Sequence, residues 1–148
     1  EIGADGVHLG RDDGGVAEAR AVVGSEAIIG VSCYDQIALA IEARREGADY
    51  VAFGSFFASS VKPHAVRPPI SLLAHARRAL GCPIVAIGGI TLERASGLVS
   101  AGADALAVIS DIFDAPDVQA RASAYSQLFG QAPDDIGNAR NDDHDLTQ

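Results

Sequence analysis

Gly47-Ala48-Asp49-Tyr50-Val51-Ala52-Phe53-Gly54 is the stretch whose reading decides the fold. Its first triplet recurs as Gly3-Ala4-Asp5 and Gly102-Ala103-Asp104, and each copy runs into an apolar segment, GVHLG, YVAFG or ALAVI. Self-similarity of this kind is what a series of repeated βα units produces. The glycine can end the preceding helix in a left-handed conformation, and the alanine permits close approach of helix to sheet. The aspartate can satisfy backbone donors at the turn. Working outward, short apolar runs without polar alternation predict strands buried on both faces of a parallel sheet. Five are expected: Gly6 to Gly10, Ile28 to Ser32, Tyr50 to Gly54, Ile84 to Gly88 and Ala105 to Ile109. Helices fill the gaps. Ile37, Ala40, Ile41 and Arg44 form one stripe closed by Gly47, and Thr91 is placed to cap a helix carrying Arg94, Ala95, Leu98 and Val99.

The five units fit an open doubly wound sheet or part of a (β/α)8 barrel, which needs roughly 200 or more residues. On the barrel reading about three units are missing, and the opening Glu1-Ile2-Gly3-Ala4, without an initiator methionine, suggests an upstream portion. Residues 1–130 are expected to form the barrel part, and the Asp- and Asn-rich stretch 131–148 a solvated tail. With 148 residues, 48% hydrophobic, the chain has the composition of one globular domain. Its net charge of −9 argues against nucleic acid or an anionic membrane surface as partner, because both need a positive footprint. Cys33 and Cys82 form no CxxC pair, so neither a disulfide framework nor a zinc site is suggested and a reducing cytoplasm is expected. No apolar run has the length of a spanning helix.

In parallel βα architectures, chemistry sits in the loops after the strands' C-terminal ends. The first, His8-Leu9-Gly10-Arg11-Asp12-Asp13, offers two carboxylates that could bind Mg2+ or cap the next helix. His8 is expected to be a hydrogen-bonded strand-end residue. Ser32 closes the second strand, where it could meet an anion or serve as an N-cap; Cys33 has no basic neighbour in sequence to make it a nucleophile. The long loop from Gly54 to His64 carries Ser59, Ser60, Val61 and Lys62; Lys62 is either a solvated surface residue or an ammonium for a phosphate. Gly88-Gly89-Ile90-Thr91 and Val108-Ile109-Ser110-Asp111 pair as a phosphate cradle, with glycine amides and a helix N-terminus. That pairing specifies a ligand group rather than a reaction.

In order and at compatible spacing, GADGVHLGRDD, IIGVSCYD, GADYVAFGSFF, VKP, PIVAIGGIT and AGADALAVISDIF resemble the thiamine-phosphate synthases, from Ile2 to about Phe129. The resemblance implies a (β/α)8 barrel, of which this chain would hold strands four to eight. It also implies a transferase that couples hydroxymethylpyrimidine pyrophosphate to thiazole phosphate and releases pyrophosphate, using Mg2+. By position, Asp13 matches a metal ligand, Ser32 and Lys62 match pyrimidine-pyrophosphate contacts, and Lys62 matches the catalytic cation. Ser59, Ser60, Val61, Gly89, Ile109 and Ser110 match thiazole-phosphate contacts.

Arg11 stands where the family usually has glutamine, and Val61 lacks the hydroxyl expected there. The family's basic strand end and its asparagine-aspartate metal motif would lie upstream. Two alternatives remain: the related thiazole tautomerase, which typically has histidine at the Ser32 position, and an inactive phosphate-binding part of a barrel whose first strand, Gly6 to Gly10, has an unpaired edge.

Overall fold

A computed structural model describes residues 3–58 and 66–130. The elements run β1 (Gly6–Leu9), α1 (Val16–Val23), β2 (Ile28–Tyr34), α2 (Ile37–Arg45), β3 (Tyr50–Phe53), α3 (Ser71–Ala79), β4 (Ile84–Ile87), α4 (Leu92–Ser100), β5 (Ala105–Ala107), α5 (Ser110–Phe113) and α6 (Val118–Gln127). All four strand pairings are parallel, and the sheet order is β1-β2-β3-β4-β5. A doubly wound sheet reverses its strand order at a switch point; no reversal occurs among the described strands. Every crossover therefore steps the same way, and right-handed crossovers that step the same way put their helices on one face. The acidic stretch 131–148 and the loop 59–65 lie outside the described residues.

The five predicted strands are present, with two corrections. β2 continues through Cys33 to Tyr34, and β5 stops at Ala107 instead of reaching Ile109. Moreover, the sheet is buried mainly on one face; on the other, Gly30 and Ala52 are buried but their neighbours are more open. Leu9, Ile29, Cys33, Val51, Phe53, Ile84 and Ala86 are buried against the helices. The alternate positions are more open: Ser32, Tyr50, Val85 and Ile87 are half-buried, and His8, Ala105 and Ala107 are exposed. Alternation is there, as the pleat demands. It was hidden in the sequence because Gly30, Ala52, Val85, Ile87, Ala105 and Ala107 occupy open-face positions with small or apolar side chains.

Leu73, from α3, and Leu98, from α4, complete the core together with Ile29, Val51, Phe53 and Ile84, all of them fully buried. Each such side chain contributes about 1.5–3 kcal/mol through removal from water. The α2 stripe is shifted from the expected one. Ala40 and Ala43 are buried, whereas Ile41 is 50% exposed, because the small residues face the sheet. Thr91 stands at the N-cap position of α4, with Ala95 and Leu98 buried beneath it, but its buried hydroxyl makes no capping hydrogen bond. No helix among the described residues is long and apolar enough to cross a membrane.

The recurring triplet has a definite structural use. Gly47 and Gly102 take positive φ values of +100° and +111°, which end α2 and α4. Asp49 Oδ2 accepts from the Ile29 amide at 2.8 Å and from Arg20 Nη2 at 2.8 Å. Asp104 does the same two strands further along the sheet, accepting from the Ile84 amide at 2.9 Å and from Arg77 at 2.6 Å. In both copies the carboxylate before one strand holds an amide near the start of the preceding strand, with an arginine from the helix leading into that strand. The backbone donor served is thus on the neighbouring strand, a contact that sequence reasoning did not foresee.

The Ile29 amide, followed by the Arg20 guanidinium, holds the Asp49 carboxyl below its ordinary value of 3.8. A depressed native pKa contributes stability above the unfolded value, and that contribution is lost as pH falls through the native one. Asp49→Asn is accordingly expected to lower the melting temperature at pH 7, with the gap from wild type closing as the pH is taken below 3.8. A gap independent of pH would contradict the ionic part of this account.

Candidate functional site

The end of β1 and the loop after it, the middle of β2 and the first residue of β3, Tyr50, bring together one group of polar side chains. Gly10 donates its amide to Asp13 Oδ2 at 2.7 Å, which closes the loop after β1 and fixes the carboxylate. Neither Asp12 nor Asp13 is the cap of α1. The N-cap is Gly15, whose amide donates to Glu18 at 3.4 Å, and the acidic residue that serves the first turn is Glu18. Arg11 lies with its guanidinium 4.7 Å from the centre of the Tyr34 ring, a cation–π arrangement. Tyr34 itself has φ +56°, at the point where the β2–β3 register shifts.

Ser32 lies within β2 and is not a helix cap, since α2 is preceded by Gln36. Its Oγ is 2.9 Å from His8 Nε2, and His8 Nδ1 is 2.9 Å from the Tyr50 hydroxyl. Although the residue as a whole is exposed, its ring is partly withdrawn from water, which draws the His8 pKa below its ordinary 6.5 against the opposing pull of the Asp13 carboxylate. Asp13 thus shares the electrostatic neighbourhood of the three linked side chains. The Tyr50 ring crosses Gly30: a Cβ built at that glycine would lie 1.9 Å from Tyr50 Cζ, so a side chain there would displace the ring. Tyr50 went unnoticed in the sequence. The register that pairs Gly30 with Tyr50 was needed to see it.

The ends of β4 and β5 form a second group. Phe56 and Phe57 donate their amides to the carbonyls of Ile87 and Gly88 at 3.1 and 3.0 Å, which straps the start of the loop after β3 across β4. A Cβ at Gly88 would meet Ser55 Oγ at 2.0 Å, and one at Gly89 would meet the Ala58 carbonyl oxygen at 2.4 Å. Both glycines are required for that strap, whatever else they approach. Arg94, from α4, places its guanidinium 5.0 Å from the Phe57 ring centre. Ile109 is 68% exposed and leads into α5, whose first residue is Ser110.

Asp111, next in the chain, is a hub. Its Oδ2 accepts from Tyr125 at 2.7 Å, from Arg121 at 2.9 Å and from the Leu92 amide at 3.2 Å. Burial alone would raise its pKa. The hydrogen bonds from Tyr125, Leu92 and Arg121 outweigh that and hold the carboxyl below 3.8. The β5–α5 connection, the start of α4 and the helix α6 are fixed by one side chain, and Gly89 and Ser110 are held to a common frame.

Ser59, Ser60, Val61 and Lys62 lie outside the described residues. Among the described residues no three His, Cys, Asp or Glu side chains converge as an all-protein metal cage would require. The single carboxylate of Asp13 suits instead a cation such as Mg2+ that draws its other ligands from water and phosphate. Both cysteines are free. Burial pushes the Cys33 thiol up to about 12, which removes it as a nucleophile near neutral pH.

A family model described as thiamine monophosphate synthase matches residues 1–112. A thiamine-phosphate synthase of Azoarcus sp. (strain BH72) is 63% identical over 128 residues, covering 86% of this chain and 62% of that protein. Another, from Methylobacillus flagellatus, is 59% identical, covering 86% of this chain and 61% of its own length. Among solved structures, a thiamine phosphate pyrophosphorylase from Pyrococcus furiosus is similar with a TM-score of 0.76 at 32% identity, covering 87% of this chain and 61% of that one. The chain thus spans about six-tenths of the length of these relatives. A 3-hexulose-6-phosphate synthase from Salmonella typhimurium, at 24% identity and a TM-score of 0.66 over 87% of this chain and 63% of that one, shares the fold alone.

Because Gly89 has φ +62° and faces backbone oxygens, Gly89→Ala is expected to reduce stability to urea by about 1–3 kcal/mol, the usual cost of a left-handed non-glycine residue. Limited proteolysis should also cut the 54–58 strap faster. A variant with wild-type unfolding and cleavage would show that the strap does not need that glycine.

Proposed function

Because the chain belongs to the thiamine monophosphate synthase family, we propose that the whole protein is a thiamine-phosphate synthase, a transferase that joins hydroxymethylpyrimidine pyrophosphate to thiazole phosphate and releases pyrophosphate. On this reading the five strands are the fourth to eighth of a (β/α)8 barrel, and the open sheet face bearing His8, Ser32 and Tyr50 looks into its interior. The strand order without reversal and the helices on one face support it. The reaction is assigned to the cytoplasm. Its partners are two small molecules, and the net charge of −9 offers nucleic acid no footprint.

One observation carries the functional assignment. Asp13, Ser32, Gly89, Ile109 and Ser110, drawn from four separate loops or strands, all stand at or just beyond the C-terminal ends of parallel strands. That end is where sites of this architecture form. Asp13 would hold Mg2+, which when bound neutralises charge on the departing pyrophosphate. Ser32 contacts the pyrimidine pyrophosphate, and Lys62, outside the described residues, brings its ammonium to the leaving group as the catalytic cation. Ser59, Ser60 and Val61 join Gly89, Ile109 and Ser110 around the thiazole phosphate.

Chemistry then needs little beyond placement and charge. The bond from the pyrimidine methylene carbon to pyrophosphate oxygen breaks first, with its electron pair leaving on pyrophosphate. The thiazole nitrogen lone pair then forms the new carbon–nitrogen bond. No proton has to be removed in either step, so no general base is required.

Pyrophosphate release, followed with both substrates and Mg2+, tests the assignment. Asp13→Asn and Lys62→Ala should each lower kcat/KM by about 10- to 100-fold, the range expected for a lost charge-assisted contact. Ser110→Ala should instead raise KM for thiazole phosphate. Unchanged rates in the first two variants would remove Asp13 and Lys62 from the reaction. Conversion of the thiazole substrate without pyrophosphate release would favour the tautomerase relative.

A further inference from the structure

His8, Ser32 and Tyr50 come from three adjacent strands and share the open face of the sheet. Both ring nitrogens of His8 are occupied, one by a phenol and one by an aliphatic hydroxyl, each at 2.9 Å. We propose that Tyr50 and His8 are a positioning pair that fixes the hydroxyl of Ser32 as a hydrogen-bond donor toward an acceptor atom of the pyrimidine pyrophosphate. This rests on the synthase reading above and adds to it two residues and a direction of proton donation.

The direction follows from the groups present. A neutral imidazole has one N–H and one lone pair, so it must donate at one nitrogen and accept at the other. A phenol is a stronger hydrogen-bond donor than an aliphatic hydroxyl, and burial pushes the Tyr50 pKa up, which keeps its proton in place. Tyr50 therefore donates to Nδ1, the imidazole proton sits on Nε2, and Nε2–H donates to Ser32 Oγ. That chain of bonds uses a lone pair of Ser32 and leaves its hydrogen for a ligand. The reverse wiring would spend the Ser32 hydrogen on His8 and leave Ser32 able only to accept.

Packing makes the arrangement rigid. The Tyr50 ring occupies the space above Gly30 in which any Cβ would clash at 1.9 Å. It lies nearly parallel to the His8 ring, with centres 5.6 Å apart and planes inclined by 24°. Neither ring can turn without disturbing the other. The hydroxyl of Ser32 is thereby aimed before a ligand arrives, which lowers the ordering cost of binding.

Two measurements on the folded protein test the pair. Long-range 1H–15N correlation spectra should show His8 neutral with its proton on Nε2, and Tyr50→Phe should abolish that preference while the thermal melt stays close to wild type. In steady-state assays, His8→Ala and Tyr50→Phe should each raise KM for pyrimidine pyrophosphate by about 3- to 10-fold, the range for one hydrogen bond. KM for thiazole phosphate should not change. In a Ser32→Ala background neither substitution should have any further effect, since residues acting through Ser32 must be non-additive with it.

An Nδ1–H tautomer overturns the donor assignment. Additive effects, or equal shifts in both KM values, overturn the positioning role and leave His8 and Tyr50 as structural residues. Absence of turnover in the wild type, with both substrates and Mg2+ present, overturns the synthase reading and with it the substrate named here.

Discussion

The carboxylates of Asp49 and Asp104 set strand register, and most of what the open face presents depends on that register. Each accepts an amide from the neighbouring strand near its start, so it fixes how far one strand is displaced along the next. In a pleated sheet a slip of one residue exchanges the two faces. Slipped by one, β3 would turn Tyr50 toward the helices and Val51 toward the open side, and the contact between Tyr50 and His8 would be lost. The same two aspartates carry arginines from the preceding helices, so the helices are docked by the groups that align the strands. These ion pairs lie at the N-terminal ends of the strands, the end that serves stability, and leave the opposite end free for ligands.

Elsewhere on the open face and at the strands' C-terminal ends, glycines do the corresponding work by what they omit. Gly30 leaves room for an aromatic ring, and Gly88 and Gly89 leave room for the backbone of the loop after β3. The result is two polar groups, one spread over the open face and the loop after β1, the other beyond the ends of β4 and β5. One is centred on Asp13, His8, Ser32 and Tyr50, and the other on Gly89, Ser110 and the Asp111 hub. Any anionic ligand of a chain of net negative charge would need such local provision, because the overall field of the protein repels it.

Much of this was legible in the residues. Five apolar runs, the triplet repeat and the glycine stops were enough to find the five described strands, short of the exact ends of β2 and β5, and to expect the ligand end. Three kinds of information were not local. Burial on both faces was inferred from β-runs whose open-face residues, such as Val85 and Ile87, look as apolar as core ones. The sequence left Asp12 and Asp13 open between capping α1 and binding Mg2+, and the cap turns out to be Gly15 while Asp13 accepts from Gly10, three residues before it. Tyr50 and Asp111 act through partners 42 and 14 residues away, on other elements, and no window of sequence contains both ends of such a contact.

Asp111 joins elements that are distant in sequence through a single carboxylate oxygen, which receives a phenol, a guanidinium and a backbone amide. Exchange of Asp111 alone would strand two donors from α6 in a partly dry setting, and exchange of Tyr125 or Arg121 alone would leave the carboxylate short of a partner. Divergence through single steps is therefore obstructed at all three positions. As lineages drift apart, the trio is expected to be inherited or replaced as a set, which would make it a marker of descent that the neighbouring, independently variable surface of α6 cannot provide.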